Sequence, residues 1–272
     1  MADREKVVLI TGASSGIGQA CAQHLATHGF RVFGTQRRAP DAASVNGVEM
    51  MQMDVDDDAS VVAGIQSVVA HAGRIDAVVN NAGNAFMGAV EDTSIDEARA
   101  QLETNFFGVL RVCRGVLPIM RGQGGGHIVN ISSLAGVLGL PFSGLYSASK
   151  FALEGMTESL RHETRRFGVR VVLIEPGDFR SQLATTRRTV HAAATNGAYQ
   201  AAFAKFKAQQ EKDEAGAPTP EPVAQLVERI LRDPSPRLRY SVGMLGQRIV
   251  IPLKRLLPQR VFEWVLTKAL GL

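Results

Sequence analysis

The fold is constrained most strongly by one repeated pattern, in which short runs of β-branched and aliphatic residues alternate with longer amphipathic segments. The runs have strand length and the segments between them have helical length, so the pattern predicts βαβ units. The predicted strands are residues 7–10, 31–35, 48–53, 77–80, 127–131 and 169–174. The predicted helices are residues 17–27, 58–72, 97–120 and 148–167. Because crossovers between parallel strands are right-handed, these units predict an α/β fold with a doubly wound parallel sheet.

Such a sheet, the Rossmann fold, places function beyond the carboxyl ends of its strands, in the strand-to-helix loops. Gly29, Gly73 and Gly168 follow three of the predicted helices as C-terminal stops. With 272 residues, of which 45% are hydrophobic, the chain is expected to form a single domain over residues 1–272. Within it, we expect residues 181–235 to form a helical substrate lid and connector, and residues 244–272 to form a C-terminal appendage.

The first predicted strand leads into a glycine-rich turn, Thr-Gly-Ala-Ser-Ser-Gly-Ile-Gly at residues 11–18. Its Gly-x3-Gly-x-Gly spacing differs from the Gly-x-Gly-x-x-Gly fingerprint, and glycines alone often mark only a tight turn. Between a strand and a helix, however, the turn offers backbone N–H groups and the helix dipole to a pyrophosphate. The predicted cofactor contacts here are Gly12, Ser14, Ser15, Gly16, Ile17 and Gly18.

The end of the second strand indicates which dinucleotide binds. Residues 34–38, Gly-Thr-Gln-Arg-Arg, contain no carboxylate that could accept from the ribose hydroxyls of NAD. Arg37 could pair with a 2′-phosphate, with Arg38 as a weaker candidate, although arginines on loops are often simply solvated. At the end of the third strand, Asp54 and Val55 could contact the adenine, although aspartate is equally common there as a helix cap. The predicted cofactor is NADP(H).

Further along the chain lies an ordered set of polar and turn residues: Asn81, Ala82 and Gly83 after the fourth strand, Asn105, Ser133 after the fifth strand, Tyr146, Lys150 and the Pro176-Gly177 pair. Together with the glycine-rich turn, the set resembles the short-chain dehydrogenase/reductases over roughly the first two-thirds of the chain. The resemblance implies that Ser133 polarises the substrate oxygen and that Tyr146 exchanges its proton. It also implies that Lys150 binds the nicotinamide ribose and that Asn105 supports a proton-relay water.

The spacing of Tyr146 and Lys150 gives this assignment an independent chemical basis. Four residues apart on one helix, the two side chains share a face. At about 4 Å and an effective dielectric of about 20, an ammonium attracts a phenolate by about 4 kcal/mol, so we expect a lowered Tyr146 pKa. An isolated Tyr-x-x-x-Lys is more often a packing residue and a surface charge. Likewise, Ser133 could be a cap and Asn105 a buried residue that bonds the backbone.

The remaining cofactor contacts are expected from residues that follow the fourth, fifth and sixth strands. These are Asn81, Ala82, Gly83, Tyr146, Lys150, Pro176, Gly177, Phe179 and Ser181, the last supplying a hydroxyl where relatives often carry threonine. Without the upstream motifs, Pro176-Gly177 could equally be a plain turn. Cys21 and Cys113 lie far from any metal-ligand spacing, so neither a disulfide nor a metal site is predicted.

Apolar residues near the predicted site indicate a lipophilic substrate, although loop hydrophobes also serve as minor core residues. The expected walls are Phe86, Met87, Val137, Leu138, Leu140, Phe142 and Leu145. The predicted reaction is hydride transfer between NADP(H) and a lipophilic carbonyl or alcohol that is steroid-, retinoid- or ketone-like. A β-ketoacyl thioester reductase and a nonenzymatic NADP-binding regulator on the same fold are the alternatives. The complete Tyr, Lys and Ser set favours an enzyme over a regulator.

The last part of the chain, residues 236–243 and 256–271, resembles the branch near the 17β-hydroxysteroid and retinol dehydrogenases. Its basic amphipathic segment could lie on a membrane surface, close the substrate pocket or pack between subunits, and packing is favoured. The residues concerned are Lys254, Arg255, Leu257, Arg260, Val261, Phe262, Trp264, Val265, Leu266 and Lys268. Because no stretch reaches the roughly 18 apolar residues of a spanning helix, no transmembrane segment is expected.

Charge and composition bound the location and the partners of the protein. The charged start, without the apolar core of a signal peptide, predicts a cytoplasmic protein, peripheral to a membrane if the tail contacts lipid. The net charge of +4 is too small to indicate a nucleic-acid partner. The long predicted helices 97–120 and 148–167 predict a homodimer or homotetramer.

Overall fold

The computed structural model of the chain, which describes residues 5–42, 44–180 and 187–269, is built on an eight-stranded sheet. The strands are β1 Lys6–Ile10, β2 Phe30–Gln36, β3 Ser44–Val45, β4 Val48–Gln52, β5 Ala77–Asn80, β6 Phe86–Met87, β7 Gly126–Ile131, β8 Val169–Pro176, β9 Arg188–Thr189 and β10 Arg239–Val242. The order in the sheet is β10-β8-β7-β5-β1-β2-β4-β3, and β6 pairs with β9 separately. Neighbours in the large sheet are parallel, except for the antiparallel pair β3 and β4.

Ten α-helices connect and cover the strands of the described chain. They are α1 Gly16–Thr27, α2 Asp58–Ala72, α3 Ile95–Leu102, α4 Val109–Gly122, α5 Gly144–Thr164, α6 Gln200–Ala215, α7 Glu221–Arg232, α8 Leu245–Arg248, α9 Val250–Leu256 and α10 Gln259–Ala269. Local sequence accounts for their ends: the Asp57 carboxylate accepts from the Ser60 N–H at 2.6 Å to start α2, and Gly73 ends it at φ +73°. None of the described helices is both long and apolar enough to span a bilayer.

The sheet separates two hydrophobic cores, because successive residues of a strand point to opposite faces. On one face, Val8 and Ile10 of β1 pack with residues of α1 and α7. On the other face, Val7 and Leu9 pack with residues of α2, α4 and α5. Each of these four residues is at most 4% exposed, and helices therefore cover both faces. The predicted doubly wound α/β fold is confirmed.

Three features differ from the sequence-based prediction. The predicted helix 97–120 is interrupted by a π-helical turn, Glu103–Gly108, between α3 and α4. Arg239–Val242 forms a parallel edge strand beside β8, a strand that the short four-residue run did not predict. Within the expected lid and connector, α7 buries Val223, Val227 and Ile230 in the core against α1. This segment therefore belongs to the layer of helices that covers the sheet.

Candidate active site

The glycine-rich turn after β1 has the backbone geometry that only glycine adopts readily. Gly12 has φ +66° and Gly16 has φ +55°, both in the left-handed region. A Cβ atom on Gly18 would lie 2.3 Å from the Gly12 carbonyl oxygen and 2.4 Å from Asn81 Nδ2, so this glycine allows close helix–strand packing. The first turn of α1 contains no acidic residue, which leaves its N-terminus favourable to an anion.

Buried hydrogen bonds fasten this turn to the end of β5. The hydroxyl oxygen of Thr11, 1% exposed, accepts from the backbone N–H groups of Asn81 and Ala82, each at 3.0 Å. The Asn81 amide in turn donates to the carbonyl oxygens of Thr11 and Gly12, each at 3.0 Å. Asn81, which we predicted as a cofactor contact, thus uses its side chain to hold the glycine turn in place.

The loops after β2 and β4 lie along the same cleft as the glycine turn. Arg37 lines the cleft with an exposed side chain, whereas Arg38 is exposed but not among the lining residues. Asp54 and Val55 also line it, and Asp54 Oδ1 accepts from the Asp56 N–H at 3.1 Å. The structure therefore brings Arg37, Asp54 and Val55 together with the turn.

The catalytic candidates meet at the carboxyl end of β7, where α5 passes over the cleft. Ser133, Tyr146 and Lys150 all line the cleft, which has a volume of about 810 Å³. Lys150 is 6% exposed, and its Nζ donates to the Ile131 carbonyl oxygen at 2.8 Å. The Lys150 Nζ is 5.8 Å from the centre of the Tyr146 ring. The lysine is therefore anchored to β7 beside the tyrosine.

Burial shifts the pKa of each residue in the direction that favours its neutral form. Burial raises the Tyr146 pKa, while a hydrogen bond with Ser133 and the charge of Arg187 lower it in part. Burial lowers the Lys150 pKa to about 8, and the nearby Glu154 opposes this shift. The Tyr146 pKa is therefore raised and not lowered as the sequence led us to expect, because desolvation outweighs the hydrogen bond with Ser133 and the charge of Arg187.

Asn105 lies in the π-helical turn and is 1% exposed. Its Oδ1 accepts from the Asn84 N–H at 2.9 Å, and its Nδ2 donates to the Asn84 carbonyl oxygen at 3.0 Å and to Ser149 Oγ at 3.1 Å. Asn105 is not among the residues that line the cleft. Of the two interpretations that the sequence left open, the structure displays the backbone-bonding one.

The loop after β8 closes the other end of the cleft. Pro176, Gly177 and Phe179 line it, and Phe179 is only 4% exposed. Asp178 also lines it, and its carboxylate accepts from Gln247 Nε2 at 2.6 Å. Burial raises the Asp178 pKa. Ser181, the last predicted contact of this loop, lies outside the described residues.

The walls of the cleft are more polar than the sequence predicted. Phe86, Met87 and Phe142 pack with Phe203 and Phe206 in a small separate core. Of the expected apolar wall residues, Leu140 lines the cleft. The lining also includes an ion pair, Arg187 Nη2 to Glu214 Oε1 at 2.5 Å, and the carboxylate of Asp178. Phe86, Met87 and Phe142 are thus minor core residues, the alternative that the sequence left open, and the sequence analysis missed the charged groups.

A charged network that the sequence did not reveal lies behind Lys150. Glu154, one helical turn after Lys150, is 5% exposed and accepts from Arg239 Nε at 2.9 Å. The same Arg239 Nε lies 3.5 Å from Glu175 Oε1, and Glu175 Oε2 accepts from Ser241 Oγ at 2.7 Å. The spacing of Glu154 from Lys150 is visible in the sequence, but its arginine partner lies 85 residues away.

The residues present fit a nicotinamide dinucleotide. One continuous cleft joins the glycine turn, Arg37, Asp54 and the Tyr146–Lys150 pair. The two left-handed glycines let the backbone come close to a pyrophosphate, and a side chain at Gly18 would collide with the Gly12 carbonyl oxygen and with Asn81. The arrangement can hold a dinucleotide and place a phenolic proton donor against a second ligand.

Comparison with known proteins agrees with this description. The family model for short chain dehydrogenases matches residues 6–192. The chain is 37% identical to a 3-ketodihydrosphingosine reductase of Bacteroides thetaiotaomicron, over 96% of each chain. It is 36% identical to estradiol 17-beta-dehydrogenase 1 of Rattus norvegicus, over 86% of this chain and 72% of that protein. A short chain dehydrogenase/reductase of Burkholderia phymatum, solved in complex with NAD, has a TM-score of 0.78 at 27% identity, covering 94% of each chain.

Proposed function

The chain belongs to the short-chain dehydrogenase/reductase family of oxidoreductases, and on that premise we propose that it reduces a lipophilic, amphiphilic ketone with NADPH. The observation that carries the proposal is the single cleft that joins the glycine turn and Arg37 to Ser133, Tyr146 and Lys150. A bound nicotinamide coenzyme supplies the hydride for such a reduction.

The preference for NADP(H) over NAD rests on Arg37. This guanidinium lines the cleft after β2, where the sequence provides no carboxylate for a ribose diol. The Burkholderia protein binds NAD, so the family alone does not decide between the two coenzymes. We propose the remaining coenzyme contacts as the sequence predicts them, with Asn81 acting through the glycine turn that it fastens.

Tyr146 is the proposed proton donor. Because burial raises its pKa above the ordinary value, the phenol stays protonated at neutral pH and can donate to a carbonyl oxygen. Ser133 lines the same cleft, and we propose that its hydroxyl holds that oxygen. Lys150 lies beside them, and its ammonium group is oriented by a hydrogen bond to the Ile131 carbonyl oxygen. Oxidation in the reverse direction needs the phenolate as a base.

The proposed substrate is a ketone with a polar group near the carbonyl and a long apolar part, as in 3-ketodihydrosphingosine. Asp178 and Arg187 line the same cleft as the proposed proton donor Tyr146. Asp178 and Arg187 are already paired with Gln247 and Glu214, and their remaining hydrogen-bonding sites can bind a polar head. The relative from Bacteroides, named as a 3-ketodihydrosphingosine reductase, matches over nearly the whole chain.

The decisive experiment measures the oxidation of NADPH and of NADH with a panel of ketones. The panel contains 3-ketodihydrosphingosine, estrone, retinal and a β-ketoacyl thioester, each dispersed in the same detergent. We expect NADPH to be preferred and the sphingoid ketone to give the highest kcat/KM. A preference for NADH, or turnover restricted to the thioester, would contradict the proposal.

Substitution of tyrosine separates chemistry from folding. Tyr146→Phe is expected to lower kcat by about 100- to 10,000-fold, which is the typical contribution of a positioned proton donor. NADPH binding, followed by the coenzyme's own fluorescence, should persist. The matched control is Tyr199→Phe, which removes an exposed hydroxyl bonded to Glu91 Oε2 at 2.7 Å and should leave kcat unchanged. Equal activity of the two variants would refute the role of Tyr146.

A single-domain, cytoplasmic homodimer or homotetramer remains the prediction for the assembly. Light scattering that finds only a monomer would count against it.

A further inference from the structure

The positive charge of this protein is concentrated near its C-terminus. Residues 244–272 contain five basic residues and one acidic residue, a net charge of +4. This equals the net charge of the entire chain, so the acidic and basic residues of positions 1–243 balance. A segment of this kind attracts negatively charged surfaces, whereas the rest of the protein carries no net charge to do so.

The same segment exposes a stripe of large apolar side chains. Leu245, Ile249 and Leu256 are exposed by 76%, 49% and 80%, and Pro252 between them is also exposed. Ile249 has helical backbone angles, so α8 and α9 follow one helical path. Residues at spacings of four, three and four along such a path share one face. The stripe is therefore continuous and points toward solvent.

Helix α10 adds a second exposed apolar face beside the first. Phe262 is 7% exposed and packs inward, whereas Val261 and Trp264 are exposed by 44% and 63%. The Lys268 ammonium lies 5.8 Å from the centre of the Trp264 ring. An exposed tryptophan next to a lysine is typical of residues that enter the interface between water and lipid.

Three arginines flank these apolar faces. Arg248, Arg255 and Arg260 are exposed, and none of them pairs with a carboxylate in the parts of the chain that the structure describes. Arg248 and Arg255 lie on α8 and α9 with the stripe, and Arg260 lies in the first turn of α10. The C-terminal surface, defined as Leu245, Ile249, Leu256, Val261, Trp264, Arg248, Arg255 and Arg260, thus combines apolar residues with free positive charge.

We propose that this C-terminal surface binds anionic lipid bilayers. Apolar side chains would enter the acyl boundary while the arginines meet lipid phosphates. A second copy of the chain fits less well, because a symmetric contact brings the same patch from both subunits together and places like charges against each other. The charge therefore favours a lipid surface over the packing between subunits that the sequence favoured.

The C-terminal surface lies next to the cleft, so a bound bilayer would lie near the cleft as well. Gln247 of α8 bonds the Asp178 carboxylate that lines the cleft, at 2.6 Å. Lys254 of α9 donates to the Val137 carbonyl oxygen, and its ammonium lies 5.3 Å from the Phe151 ring centre. A bilayer on the C-terminal surface therefore lies beside the end of the cleft that holds Asp178. Lipid binding goes beyond the proposed reaction and is measured without substrate or coenzyme.

The test uses the full chain and its only tryptophan, Trp264, as the reporter. Vesicles of phosphatidylcholine with phosphatidylglycerol are compared with vesicles of phosphatidylcholine alone, at low and high salt. We expect a blue shift of the Trp264 emission and co-sedimentation with the anionic vesicles only, both weakened by salt. The double variant R248Q/R255Q should bind about 25-fold more weakly, because each arginine near an anionic surface contributes about a factor of five.

Ile249→Glu tests the apolar part of the surface, with Val62→Glu as the matched control on α2, where Val62 is 52% exposed. Ile249→Glu should abolish vesicle binding, and Val62→Glu should leave it unchanged. The proposal is overturned if anionic vesicles cause no shift at low salt, or if both variants bind alike. It is also overturned if the emission shifts with protein concentration alone while light scattering reports association, since a second copy would then cover the surface.

Discussion

Burial of a charged lysine in the candidate site should make the protein less stable at neutral pH than it would be without that lysine. Lys150 is 6% exposed and its pKa is lowered from 10.5 to about 8. The difference between these two pKa values corresponds to about 3.4 kcal/mol of preference for the neutral form. Between the two pKa values the unfolded chain binds more protons at this position, so the free energy of unfolding rises with pH.

Lys150→Met isolates this contribution, because the variant keeps the other titratable groups. From pH 7 to pH 9.5, the free energy of unfolding of the wild type should rise by about 2 kcal/mol relative to that of Lys150→Met. Urea unfolding of both proteins at the two pH values measures the difference. The control is Lys207→Met on α6, which removes an amine that is half-exposed in the folded protein. A gap between wild type and Lys150→Met that is the same at both pH values would refute the reasoning.

Two further predictions concern the coenzyme. Arg37→Asp should lower kcat/KM for NADPH by about 10- to 100-fold relative to NADH, the equivalent of one lost charge-assisted hydrogen bond. Arg38→Asp should change it less because Arg38 does not line the cleft, and equal effects in steady-state kinetics would contradict the role of Arg37. Gly18→Ala should destabilise the protein by about 1–3 kcal/mol and weaken NADPH binding, because its Cβ would lie 2.3 Å from the Gly12 carbonyl oxygen. Urea unfolding should find Gly139→Ala, whose Cβ would have no neighbour within 4 Å, close to wild type, and a stabilised Gly18→Ala would contradict the packing argument.

The sequence predicted the sheet because hydrophobic periodicity is local. Each predicted strand overlaps an observed one, and helix 58–72 has the predicted bounds. Ser133, Tyr146 and Lys150 could be placed in one cleft because parallel strands deliver their following loops to the same edge. Their roles remain predictions. These positions rest on short-range patterns and on topology.

What the sequence did not reveal depends on partners that lie far apart along the chain. The Tyr146 pKa was predicted from its distance to one lysine, whereas the burial that raises it comes from the fold. Phe86 looked like a substrate wall until packing against Phe203 and Phe206 placed it in a small core. Glu154 meets Arg239 only because β10 joins the edge of the sheet. Composition and spacing carry no information about such contacts.

The packing of α7 against α1 also bears on how the protein is made. His24 of α1 bonds Glu228 of α7 at 2.7 Å across 204 residues of sequence, and Lys6 of β1 donates to the Leu231 carbonyl oxygen at 2.8 Å. During synthesis, the apolar face of α1 and β1 therefore stays exposed until α7, which packs against it, has left the ribosome. A nascent chain at this stage exposes aggregation-prone surface, so its folding yield should depend on chaperones more than its final stability does.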